Sequence, residues 1–493
     1  MIDPQAPVIV AVGQDSWREG PTEPISAMAA TVGAMLDADP AVRRVADQIG
    51  AVRVMGGMWR YRDPGRLLIE ELDLPQVPTA LTTIGGNEVY DLVNVTAGEI
   101  QAGTLDAALV VSAEVLRTIR RARAAGEEIT YRPEADEAAP DIRYGSTEGV
   151  VEPKQKAAGA TDPVAFYAMA EVALRHARGE DPASHQARIA ALWATASDVA
   201  ADNPHAWLQR RLTAAEIEQP TEGNRMVASP YPKLMTSNVD VDQSAAVLLC
   251  SYRTAVDAGI DPSAMVFPIA GSGAADHLSL AERWSLAESP AMRAAGSKAL
   301  ALSGWSIEDV DDLDLYSCFP AAVQVAQDAL GIDPTIPFTI TGGLTFAGGP
   351  FNSYCLHALA TAVERLRDGA SRRTLLSGNG GYFSKHSFLT LASAPGDGFR
   401  SERPQAEVDA GPRRPAATGP FERGAIEAYT VLFDRSGAPT HGLIAALDDD
   451  GARHWATSAD DSTLRALLAD DLVGKPVTVR SDGDAAPVVT AIG

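Results

Sequence analysis

Short apolar runs alternate along the chain with longer segments whose apolar residues recur every three or four positions. Val8–Val12 is such a run, and Ile25–Asp37 behind it carries a helical stripe. Ala51–Met55 and Thr79–Thr83 read as two further strands. In Asn87–Ala102 the apolar positions Val89, Leu92, Val93, Ala97 and Ile100 fall on one helical face, and Gly103 is placed to cap its end before the strand Ala107–Ser112. The same grammar returns as strand Met265–Ala270, helix Ser289–Leu302, strand Asp312–Tyr316, helix Ser353–Arg367 and strand Arg373–Ser377. GEIQAGTLDAALVVS (Gly98–Ser112) and VERLRDGASRRTLLS (Val363–Ser377) share one order: a helix end, a glycine, a polar turn, a buried strand. Each lies downstream of a glycine pair, Gly85-Gly86 in one half and Gly348-Gly349 in the other. The pattern predicts a duplicated α/β domain whose sheets are covered by helices.

Between the halves the texture turns rich in Arg, Glu, Pro and Ala, with helices at Val164–Ala177 and His185–Ala200 and a return to β structure at Ala245–Ser251. Ala394–Pro420 holds five prolines and four glycines and reads as an exposed, protease-sensitive linker. Beyond it, Ala425–Phe433, Thr440–Leu447, His454–Thr457 and Pro476–Arg480 read as strands, with turns at Ser436-Gly437 and Asp450-Gly451 and a helix at Ser462–Leu468. A small β-barrel of the OB type is expected there. The domain plan is therefore 1–115 with 240–264 as an N-terminal half, 116–239 as a loop domain, 265–393 as a C-terminal half, 394–420 as a linker and 421–493 as the barrel.

A chain of 493 residues exceeds one ordinary core, which fits this plan. The formal net charge of −24 disfavours nucleic acid and anionic membrane as partners. Three scattered cysteines, Cys250, Cys318 and Cys355, exclude a disulfide framework or a metal clip and fit a reducing, cytoplasmic setting. The opening residues read as a first strand rather than a signal peptide, and no run is apolar for long enough to insert in a membrane. The eight histidines show no HExxH-like pairing, so no metal is expected.

Five stretches carry a family resemblance. VPTALTTIGGNEVYDLVNVTAGEIQAGTLDAALVVSAE resembles the thiolase segment holding the catalytic cysteine and its helix. ALSGWSIEDVDDLDLYSCFPAAV is similar to the thiolase segment that ends in Asn-Glu-Ala-Phe or His-Asp-Cys-Phe. TGGLTFAGGPFNSY resembles the Gly-His-Pro loop, LLSGNGGYF the Cys-x-Gly loop, and Asn238–Val247 the segment that re-enters the N-terminal domain. They stand in family order across residues 5–393. The closest resemblance is to thiolase-like protein type 1, often named acetyl-CoA acetyltransferase, which shares the GGN sequence and an added C-terminal domain. The resemblance implies a duplicated thiolase fold in α/β/α/β/α layers, coenzyme A esters as ligands with nothing tightly bound, and a homodimer formed through Thr79–Ile84, a monomer being the alternative.

Thiolase chemistry uses a thiolate at a helix start, a histidine, a second cysteine and an oxyanion hole. By the resemblance, the nucleophile position here falls on Gly86, the histidine on Gly349, the second cysteine on Ser377, and the Asn or His of the fourth motif on Tyr316. Acyl transfer through cysteine is therefore not expected. The catalytic candidates are Tyr316, Ser317, Cys318, Ser377, Tyr382 and His386, with Tyr354 and Lys385 beside them. Cys318 also reads as a small core residue, Tyr354 and Tyr382 as loop-edge residues and His386 as a structural histidine. Gly86, Gly349 and Gly380 are candidate backbone donors to an oxyanion. Gly85, Gly86, Gly348, Gly349, Gly378, Gly380 and Gly381 also read as turns requiring positive φ. Arg117, Arg120 and Arg121 are candidates for the nucleotide of coenzyme A, and a solvated helix face explains that run equally well. Three functions follow: retro-aldol or enolate chemistry on an acyl-CoA of lipid metabolism, non-catalytic acyl-CoA or lipid binding, and residual acyl transfer.

Overall fold

The computed structural model describes residues 2–20, 23–146, 151–481 and 485–493. A six-stranded sheet has the order Pro7–Ser16, Asp242–Ser251, Ala107–Val115, Ala51–Val54, Thr79–Thr82, Ile142–Tyr144. A five-stranded sheet has the order Asp312–Asp314, Arg373–Gly380, Lys385–Ala392, Phe267–Ala275, Arg400–Glu402. The duplication is written in the pairing. In each half the first strand runs antiparallel to the last one, and the last runs antiparallel to the strand that follows the central helix. That strand is in turn parallel to a further one, Ala51–Val54 or Asp312–Asp314.

The two central helices, Asn87–Gln101 and Tyr354–Arg367, lie between the sheets, and each packs against the sheet of the opposite half. Every residue from Tyr354 to Val363 is buried, as its run of Leu, Ala and Val requires. Pro24–Asp37 covers the outer face of the first sheet and Pro290–Ser303 that of the second, completing five layers. Proline opens many of these helices, where its missing N–H would be unpaired in any case; Asp162, Asp181 and Ser289 cap three of them with side-chain acceptors.

At the C-terminus, Arg423–Phe433 pairs with both Pro439–Leu447 and Pro476–Arg480, closing a five-stranded barrel. Arg453–Ser458 runs parallel to Val488–Ile492, and Asp461–Ala469 crosses between the third and fourth strands. The circular order 1-2-3-5-4 is that of an OB barrel. Val488–Ile492 escaped the hydrophobic pattern because Val489 alone among its residues is buried.

Two expectations need correction. Residues 394–420 are not a free linker. Arg400–Glu402 joins the second sheet as an edge strand beside Phe267–Ala275, Phe399 and Val408 are buried, and Gln405 exchanges hydrogen bonds with both backbone groups of Ala275. Proline and glycine set the local turns here, but two apolar anchors and a strand decide the packing. Secondly, the edge Thr79–Thr82, expected to pair between subunits, is already covered by Ile142–Tyr144 of the loop domain in parallel register. No described helix is long and apolar enough to cross a membrane, and no described group of His, Cys, Asp and Glu is arranged to hold a metal.

The barrel docks tightly. Arg453 is fully buried; its guanidinium donates to Glu427 at 2.5 and 2.7 Å and to the carbonyls of Leu280 and Arg283 at 2.5 and 2.7 Å. Arg175 of the loop domain grips Asp471 with two bonds of 2.6 and 2.8 Å.

Candidate active site

Gly86 heads the central helix Asn87–Gln101 with φ −62° and ψ −25°, a conformation open to any residue. Its lack of a side chain is a matter of space. A Cβ at this position would lie 2.5 Å from Tyr316 Cε2 and 2.6 Å from the carbonyl oxygen of Asn379. The aromatic ring thus stands where any side chain on residue 86 would begin. Of the seven glycines read as turn formers, Gly348 and Gly381 have positive φ, at +115° and +57°. Close approach explains Gly380 too, since a Cβ there would press on Gly85 Cα at 3.1 Å.

Tyr316 is held from two sides. Its backbone N–H donates to Ser377 Oγ at 2.9 Å, and its ring meets Tyr354 edge-on at 5.8 Å. Tyr354 in turn donates to Asp314 Oδ1 at 2.8 Å. Burial lifts the Asp314 carboxyl to about 6 against the hydrogen bonds it accepts from Thr339 and Tyr354. Burial also drives the Tyr316 phenol well above its ordinary range, so the hydroxyl stays protonated and has a proton to donate.

Behind this pair, desolvation pushes the Cys318 thiol up to about 12. Asn379 Nδ2 donates to the Tyr167 hydroxyl at 2.9 Å, and the Tyr167 ring stacks on Phe319 at 4.6 Å. Ser237 donates to the Cys318 carbonyl at 3.0 Å, while Gly349 N–H donates to the neighbouring Asn238 carbonyl at 2.8 Å. Ser317 is fully buried and accepts from Leu344 N–H at 3.3 Å. The structure therefore gathers Gly86, Gly380, Tyr316 and Ser377, with Cys318 behind them; the Gly349 N–H, expected to face an oxyanion, is instead taken by the Asn238 carbonyl.

Other candidates lie elsewhere. The backbone of Tyr382 is in the left-handed region at φ +52°, and its hydroxyl donates to Thr161 O at 2.6 Å, toward the loop domain. His386 Nε2 is 3.0 Å from Ser289 Oγ and 3.6 Å from Asp276 Oδ2. Ser289 and Asp276 accept from Met292 and Ala291 N–H at 3.1 and 2.9 Å, so His386 belongs to the cap of a helix. Arg117 and Arg120 share Asp240 at 3.7 and 3.3 Å, and Arg121 reaches the Arg18 carbonyl at 3.5 Å. Sequence reasoning missed three residues here: Asn379, Tyr167 and Asn352. Asn352 Oδ1 accepts from Gly85 N–H at 2.8 Å and its Nδ2 donates to Gly56 O at 2.6 Å, tying the glycine turn to the first sheet. The signal for Asn379 was its place inside GNGG; Tyr167 sits on a distant helix and left none.

Comparison with known proteins bears on the fold that carries these residues. Residues 404–484 match the family described as the thiolase-like protein type 1 additional C-terminal domain. A monomeric SCP2-thiolase-like protein type 1 from Mycobacterium smegmatis superposes with a TM-score of 0.85 at 28% identity, over 99% of this chain and all of that one (100%). An Ltp2–ChsH2 (DUF35) aldolase shares the fold with a TM-score of 0.60 at 16% identity, over 80% of this chain and 99% of that one. The dimeric peroxisomal thiolase of Saccharomyces cerevisiae does so with 0.56 at 15%, over 80% and 98%. An acetyl-CoA acetyltransferase of Methanothermobacter thermautotrophicus is 26% identical over 216 residues, 38% of this chain and 54% of that protein. The chain thus spans about half the length of this curated relative.

Proposed function

From a chain with the thiolase-like type 1 architecture and its additional C-terminal domain, we propose a protein that binds an acyl-CoA thioester beside Gly86 and Tyr316 and acts on it without an acyl-cysteine. The chemistry is carbon–carbon bond cleavage or formation through an enolate, as in a retro-aldol step. The observation that carries this reading is the Tyr316 ring in the volume a side chain at residue 86 would need. It exchanges a nucleophile for a neutral hydroxyl donor at the start of a helix, where partial positive charge favours a developing oxyanion. An enolate step calls for such a donor and needs no thiol. A solved neighbour of the same fold is an aldolase, the class of chemistry proposed. Arg117, Arg120 and Arg121 are proposed for the phosphates of coenzyme A, and the setting is cytoplasmic lipid metabolism.

A second reading, acyl-CoA or lipid binding without turnover, is favoured by one observation. Burial raises the nearby Glu88 carboxyl, and on the Tyr316 side of Gly86 desolvation holds Tyr316, Cys318 and Tyr167 protonated. Such a set donates hydrogen bonds well and removes protons poorly.

Titration calorimetry with coenzyme A and short acyl-CoA esters tests the common ground. Binding that weakens as salt rises, and weakens further in Arg120→Ala with Arg121→Ala, supports it. Absence of binding by every ester at millimolar concentration overturns both readings.

A further inference from the structure

Beneath the Gly348-Gly349 turn lies a cavity of about 10 Å³. On that measure roughly 10–15 Å³ houses one water. Its lining includes Gln14, His205, Gln243, Gly348, Tyr354 and His357. Gln14, Tyr354, Gln243 and His357 are all more than nine-tenths buried, Gln243 at 2% exposure and His357 at 6%. Gln243 Oε1 and His357 Nε2 have no hydrogen-bond partner among the described residues.

The hydrogen-bond network settles which way each group faces. Gln14 Nε2 donates to Thr361 Oγ1 and Glu364 Oε2, both at 3.2 Å, so its Oε1 is an acceptor. His357 Nδ1, 3.3 Å from that oxygen, must then carry the proton, which leaves Nε2 a bare lone pair. Gln243 Nε2 donates to Ser16 Oγ at 2.8 Å and to the Ala347 carbonyl at 2.9 Å, so Gln243 Oε1 is an acceptor as well. Two buried acceptors facing one small cavity call for a molecule that donates twice.

We infer that this cavity holds one ordered water donating to both His357 Nε2 and Gln243 Oε1, and that His357 is a positioning residue for the Gly348-Gly349 turn. The chain of bonds runs from Glu364 through Gln14, His357 and the water to Gln243, and Gln243 holds the carbonyl of Ala347. Gln243 Oε1 also lies under Gly348, where a Cβ would run into it. With no side chain on either glycine, the turn is located from below. Desolvation first, and the charge of His205 second, pull the imidazole down to about 3, so the ring stays neutral and serves as an acceptor rather than a base. The water site stands on the geometry alone; its relevance to a ligand rests on the function proposed above.

Two measurements test it. In protein labelled with ¹⁵N-histidine, the His357 ring, assigned from its loss in His357→Gln, is expected as the Nδ1–H tautomer across about pH 5 to 8. An Nε2–H tautomer or a charged ring overturns the inference without touching the proposed function. Hydrogen exchange of residues 347–349 is the second. His357→Leu removes the acceptor and is expected to speed exchange about tenfold, the equivalent of one buried hydrogen bond. His357→Gln can donate to Gln14 Oε1 and accept from the water, and should exchange like the parent protein. Equal exchange in the Leu and Gln variants contradicts a role for the water.

Discussion

Gly86 and Tyr316, 230 positions apart in sequence, share one volume: a Cβ on the glycine would come within 2.5 Å of the tyrosine ring. Glycine is required here by a neighbour and not by the backbone, because φ and ψ are ordinary helical values. Replacing Gly86→Cys should therefore destabilise the protein by about 1–3 kcal/mol through overpacking. With Tyr316→Ala added, the clash disappears. A double-mutant cycle on thermal or denaturant unfolding should show a coupling of about 1 kcal/mol or more. Additive effects would mean that the ring does not occupy this space.

The thiols should be inert. Cys250, Cys318 and Cys355 are all buried, and desolvation lifts Cys318 to about 12. The thiolate is the species that alkylates. Iodoacetamide at mildly alkaline pH should leave the mass of the native protein unchanged and add three labels after denaturation. Rapid single labelling of the native protein at Cys318 would contradict the burial described.

A buried carboxyl gives the fold a pH signature. Glu114 Oε1 accepts from Met58 N–H at 2.8 Å, Oε2 has no partner among the described residues, and desolvation raises the group from 4.5 to about 8. Folding thus retains a proton that the unfolded chain releases above about 4.5. This contribution is fully present below that pH and is lost as pH rises through about 8. Glu114→Gln should flatten the slope over this window and stabilise the protein at about pH 9, by an amount that grows with the shift at about 1.4 kcal/mol per tenfold in proton affinity. Denaturant midpoints at three pH values check it; a parallel pH dependence in parent and variant contradicts it.

The barrel should resist separation. Arg453 donates to carbonyls on the far side of its interface, and Arg453→Met would leave Glu427 with Arg414 as its ion-pair partner. A loss of about 3 kcal/mol is expected. Limited proteolysis of the parent protein should spare residues 399–409, whose strand and apolar anchors are packed, and cleavage there should appear in the Arg453→Met variant. Early cutting of the parent within that segment would show that the packing is weak.

Much of this architecture could be read from periodicity. The repeated helix–glycine–strand order in Gly98–Ser112 and Val363–Ser377 is local, and so are four of the five strands that form the barrel. What could not be read is contact across space. The sequence shows Tyr316 in one motif and Gly86 in another, but not that the ring of one fills the space beside the other. His386 follows a glycine loop and looked like a site residue; its partners, Asp276 and Ser289, lie about a hundred positions earlier and make it part of a cap. Residues 394–420 looked like a linker because proline and glycine count locally, whereas the pairing of Arg400–Glu402 with Phe267–Ala275 is long-range.

Covering of the Thr79–Thr82 edge by Ile142–Tyr144 leaves that strand no free side for a partner copy. Light scattering at micromolar concentration should return the mass of one chain, near 51.8 kDa. A dimer that persists on dilution would require a different interface from the one resemblance suggested.

The central claim is chemistry on a thioester without an acyl-cysteine, assisted by the Tyr316 hydroxyl. Its most direct test is incubation of the parent protein and Tyr316→Phe with a panel of acyl-CoA esters, following each ester and the intact protein by mass spectrometry. The account predicts that one class of ester is consumed with no acyl adduct on the protein, and that Tyr316→Phe slows consumption by about a hundredfold, the usual effect of removing one oxyanion donor. An acyl group trapped on a cysteine, or consumption that Tyr316→Phe leaves unchanged, would contradict it.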